Sequence, residues 1–203
     1  MFIAWVFGRE RAFKEASARL VREATLNCQD ELFNSDTGMY FPDPMPPGIT
    51  GQISLVLEIC LALLTVLVES IREVRLETIA KLLDIPYSKA RKYEKTGGIT
   101  VCKSDSERCD ALSYGSLTLS LMKKDLLHRK NPDEIYESVN GLASYISNLK
   151  VLLELTGGTT HFGCFDGDLN YFKSNVEKVM SEIESPVLDS YRVHMKVQRG
   201  EKD

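Results

Sequence analysis

Apolar residues return every three or four positions along nearly every stretch of this 203-residue chain that proline and glycine leave uninterrupted. An α-helix turns once in 3.6 residues, so that spacing gathers them on one helical face. The Val, Ile and Thr alternation of a half-buried strand is nearly absent. Together these features point to an all-α fold, a single helical domain over residues 1–203 with roughly six to eight helices.

The first helix is expected over residues 2–26, where Val6, Phe13, Leu20 and Val21 recur between charged positions. Residues 27–51 form a Pro-rich loop. Its Pro42, Pro44, Pro46, Pro47 and Gly48 forbid a continuous helix. Helical spacing resumes near Gln52 and runs to about Leu83, where Pro86 is expected to end or interrupt it. Ser88 is then placed to cap a short basic helix closed by Gly97 and Gly98. Residues 99–110 read as a loop. Helices follow at about 111–127 and 133–154, with Asn131-Pro132-Asp133 as the break between them. A second loop covers 157–167, and two further helices are expected near 168–183 and 186–198, parted by Ser185-Pro186.

One stretch has to be weighed against a membrane span. From Ile53 to Val68 the only charge is Glu58, but this is 16 residues, short of the roughly 20 that cross a bilayer. A central carboxylate adds about 2.5–3.5 kcal/mol to insertion. The reading is therefore a buried helix, with no membrane partner. The chain as a whole carries 25 basic and 29 acidic residues, a net charge of −4. That balance argues against a strongly basic nucleic-acid binder. With 43% hydrophobic residues the chain is not a mainly disordered one. A domain of this length buries roughly 70% of its unfolded surface and folds without disulfide staples.

Five cysteines, Cys28, Cys60, Cys102, Cys109 and Cys164, are an odd set. An odd count fits a reducing compartment better than a secreted disulfide framework. The first residues turn charged at Arg9 without a basic segment ahead of the apolar one, which is not the pattern of a signal peptide. The expected location is cytoplasmic or nuclear.

The chemistry-bearing residues fall in the two loops. Cys102 and Cys109 are separated by six residues, and His161-Phe162-Gly163-Cys164 supplies His-x2-Cys. Three thiolates and an imidazole make a closed donor set suited to tetrahedral Zn2+. Such a set would clamp the loop at 99–110 to the loop at 157–167 and couple metal binding to folding. With four protein ligands no position is open for water, so this zinc is structural. Spacing alone also admits incidental thiols with a loop histidine, or a Cys102–Cys109 disulfide, which a reducing compartment disfavours. Cys60 reads as a core thiol, and Cys28 is left over. Lys89, Arg91, Lys92 and Lys95, with Tyr87 and Tyr93 beside them, form a basic patch that nucleic acid could contact, although a short charge run is more often a wet surface. Gly157-Gly158-Thr159-Thr160 lacks the ending of a phosphate loop, and Asp166-Gly167-Asp168 lacks the remaining ligands of a calcium loop. No nucleophile elbow or paired carboxylate stands out.

In chain order the sequence carries Ile3-Ala-Trp-Val-Phe-Gly-Arg-Glu-Arg-Ala-Phe13 and Arg75-Leu-Glu-Thr-Ile-Ala-Lys-Leu-Leu83 with Tyr93. It then carries Cys102, Cys109-Asp110, Tyr114-Gly-Ser-Leu117, His161-x2-Cys164 and Ser185-Pro-Val-Leu-Asp-Ser190. This series resembles the helical region that follows the BTB/POZ domain in filamentous-fungal BTB-domain proteins. The resemblance implies that Cys102, Cys109, His161 and Cys164 are a recurring set, and it implies no enzymatic activity. The BTB fold itself is not in this chain, so that fold's dimerisation and adaptor roles do not carry over. Relative to that family, residues 49–68 are either an insertion or translated non-coding sequence. The expectation is a non-enzymatic, zinc-stabilised helical module that binds protein. The alternatives are a nucleic-acid-associated regulator using residues 89–95 and a zinc-dependent enzyme of unrecognised type.

Overall fold

The computed structural model describes residues 8–27, 32–34, 39–40, 54–95, 106–127, 130–149, 170–187 and 189–200. Six α-helices lie among them: α1 (Glu10–Glu23), α2 (Ser54–Lys95), α3 (Ser106–Met122), α4 (Val139–Ser147), α5 (Tyr171–Ser181) and α6 (Asp189–Gln198). A 3-10 turn spans Pro132–Glu134. The described residues are thus mostly helical, as the periodicity predicts. A small antiparallel meander follows α1: β1 (Thr25–Leu26) takes the last two positions expected of the first helix, and β2 (Leu32–Asn34) and β3 (Met39–Tyr40) lie in the region expected as a loop. Thr25 faces Phe33 and Leu26 faces Leu32, while Phe33 faces Tyr40 and Asn34 faces Met39. Strands of two or three residues are too short to show alternation in the sequence.

Two compact units divide the fold. The first comprises Met1–Glu77, Tyr136–Asn140 and Ile183–Asp203, and the second Thr78–Ile135 and Gly141–Glu182. In the first unit, α1 buries Phe13, Ser17 and Val21 on one face. Its outer face carries the i,i+4 ion pairs Glu10–Lys14 at 2.7 Å, Arg11–Glu15 at 2.8 Å and Arg19–Glu23 at 2.7 Å. Exposed pairs of this kind are worth about 0.3–0.5 kcal/mol each, so the buried face decides the helix's place. The Lys14 hydrogen bond holds the Glu10 carboxyl below its ordinary range. Before α1, Gly8 adopts φ +65°. A Cβ there would lie 2.7 Å from the Met195 carbonyl oxygen and 2.9 Å from Arg199 Cγ. Only glycine combines that left-handed turn with so close an approach to the end of α6.

The core of this unit joins Phe13, Val21, Ala24, Leu26, Leu32, Leu67, Ile71, Val187, Tyr191 and Met195. Each fully buried Leu, Ile or Phe among them contributes roughly 1.5–3 kcal/mol. The Phe13 and Tyr191 rings lie 5.9 Å apart at 52°. Polar links fasten the same core. Ser70 Oγ donates to the Pro186 carbonyl at 3.2 Å, and Arg75 Nη2 donates to the Glu137 carbonyl at 2.8 Å. Arg75 is fully buried, and that desolvation, with Arg72 nearby, pushes its pKa down to about 10.

In the second unit, Ile79, Leu82, Leu83 and Ile85 of α2 are buried. Contrary to expectation, α2 runs through Pro86 without ending. Proline removes one backbone donor and costs a helix interior about 3 kcal/mol. Burial on both sides of Pro86, which is itself buried, outweighs that cost. Ser88 accordingly caps nothing. Its Oγ donates to Asp84 Oδ2 within the helix at 2.8 Å. The Tyr87 hydroxyl donates to the Leu126 carbonyl, and the Tyr145 hydroxyl to that of Ser120. At the end of α3, Leu126 N–H bonds the Leu121 carbonyl at 2.9 Å and Asp125 N–H that of Met122 at 3.0 Å. Asp125 stands at φ 55°. This is a Schellman stop with aspartate in the left-handed position, and Lys130 Nζ meets that aspartate at 2.6 Å. The Asn131-Pro132 break starts the 3-10 turn, where Asn131 N–H donates to Glu134 Oε2 at 3.0 Å.

Among the described residues, no helix is long and apolar enough to cross a membrane. The apolar run at 53–68 enters α2 at Ser54. At its far end Thr65 and Val66 are exposed and Leu67 is buried.

Candidate functional site

The proposed ligands Cys102, His161 and Cys164 lie outside the described residues. Cys109 lies on the backbone of α3, which begins at Ser106, so the expected loop at 99–110 gives way to helix over its last five positions. No proline interrupts the chain from Ser106 to Met122, and the single glycine, Gly115, is tolerated inside the helix. The Cys109 side chain is outside those described, as are Cys28 and the side chain of Cys60, which stands on α2. Among the described residues no group of three or more His, Cys, Asp or Glu side chains could hold a metal ion. The loop at 157–167 also lies outside the described residues.

The basic patch at 89–95 differs from the expected wet surface. Lys89 is only 7% exposed, and its Nζ sits 4.7 Å from the centroid of the Tyr171 ring on α5. A cation over an aromatic face is stabilised there, more so when water is excluded. Lys89 follows Leu82 by two turns of the uninterrupted helix, which carries it onto the buried stripe. Placing a break at Pro86 resets that phase and makes Lys89 look like surface. Arg91 points to solvent and pairs with Asp84 Oδ1 at 2.9 Å. Lys92 and Lys95 continue α2, with side chains outside those described.

A surface with no precedent in the sequence reading stands on α3. Leu117 and Leu121 are buried, whereas Tyr114, Leu119 and Met122 are 43%, 60% and 54% exposed. Ala111 is exposed beside them, and Gly115 and Thr118 are partly exposed. On a helical wheel these outward residues share about 140° of arc, flanked on the Tyr114 side by the buried Leu117 and Leu121. Isolated exposed apolar residues are ordinary, but here three large ones fall on one side of a helix within three turns. Sequence periodicity could not separate Leu119 and Met122 from Leu117 and Leu121, because α3 is apolar on both faces. Among the described residues, Val193 and Val197 of α6 form a smaller exposed pair, flanked on one side by the exposed Arg192 and Lys196.

Several residues of the segments 75–83 and 185–190 are built into the packing. Arg75, Thr78, Ile79, Leu82 and Leu83 are buried. Ser185 Oγ lies 3.5 Å from Ser17 Oγ, and Pro186 accepts the Ser70 bond. Comparison with known protein families, with curated proteins and with solved structures returned no match.

Proposed function

We propose that this chain is a helical module that binds protein, performs no catalysis, and is stabilised by a structural zinc held by Cys102, Cys109, His161 and Cys164. The observation that carries the binding role is the outward apolar face of α3 at Tyr114, Leu119 and Met122. A face of this kind is a cost in water and a gain when a partner covers it. The zinc rests on donor chemistry, since three thiolates and one imidazole complete a tetrahedron without a place for water. It rests also on the resemblance of the Cys, Cys-Asp, Tyr-Gly-Ser-Leu and His-x2-Cys series to the region following the BTB domain in fungal proteins. Such a module works in the cytoplasm or nucleus, where thiolates stay reduced. The nucleic-acid alternative loses Lys89 to the interior.

The binding role is tested by placing the photo-crosslinker p-benzoylphenylalanine at position 119 and irradiating the full chain in an extract of its source cells. A discrete covalent adduct with a polypeptide is expected from position 119 and none from Lys173, an exposed site on α5. Equal labelling at both sites, or none at 119, contradicts the role.

A further inference from the structure

We draw no further inference here: the strongest candidate, the outward apolar face of α3 at Tyr114, Leu119 and Met122, adds nothing to the binding role already proposed, because nothing in the structure shows what covers it.

Discussion

Gly8 shows how one residue ties two helix ends together. Its φ of +65° turns the chain into α1, and its missing side chain lets the turn sit against Met195 and Arg199 of α6. The Arg199 guanidinium reaches Glu10 at 3.7 Å across the same junction. Gly8→Ala imposes both a left-handed penalty and a contact of 2.7 Å with a carbonyl oxygen. We expect it to lower unfolding free energy by about 2 kcal/mol or more, read from the urea midpoint. An unchanged midpoint would show that the junction relaxes freely. Nothing in the local sequence announces this constraint, because the atoms that impose it come from residues near 195 and 199. Lys89 teaches a related lesson. Its charge predicts surface, and its helical phase decides otherwise once α2 is seen to be unbroken. The apolar positions Phe13 and Val21 were legible from spacing, since core residues on a regular helix need only the period.

At the scale of the element, Pro86 is the informative case. Local rules favour a break, and tertiary burial overrides them. The Leu82 carbonyl, four residues before Pro86, has no backbone N–H to accept from at that position. Pro86→Ala restores the donor, a gain of up to about 3 kcal/mol by helix propensity. Loss of the buried ring and a freer unfolded chain offset about 2 kcal/mol of it. The expected net effect is a rise in stability of about 1 kcal/mol, measured by thermal unfolding. A fall in melting temperature would mean that the proline ring packs more tightly than this balance allows. For α3 the helix itself was legible and its orientation was not. A segment apolar on both sides does not say which side faces the core, so its outward face emerged only with the burial of Leu117 and Leu121.

For the whole molecule, the helical class was legible and the division into two units was not. The first unit gathers three separate stretches of chain, and its limits fall inside α2, between Glu77 and Thr78, and inside α4, between Asn140 and Gly141. Helical periodicity continues across both points, so no composition shift or linker marks them. The zinc proposal belongs to this scale as well, because its ligands lie in segments separated by more than fifty residues of sequence. Closing so long a loop carries an entropic cost that a metal site offsets. The most direct measurement of the central claim is the zinc content of protein purified without added metal or chelator, by mass spectrometry, for the natural chain and for Cys109→Ser. The account predicts about one zinc per chain and a marked loss in the variant. Less than about 0.2 equivalents, or a content indifferent to Cys109→Ser, would contradict it.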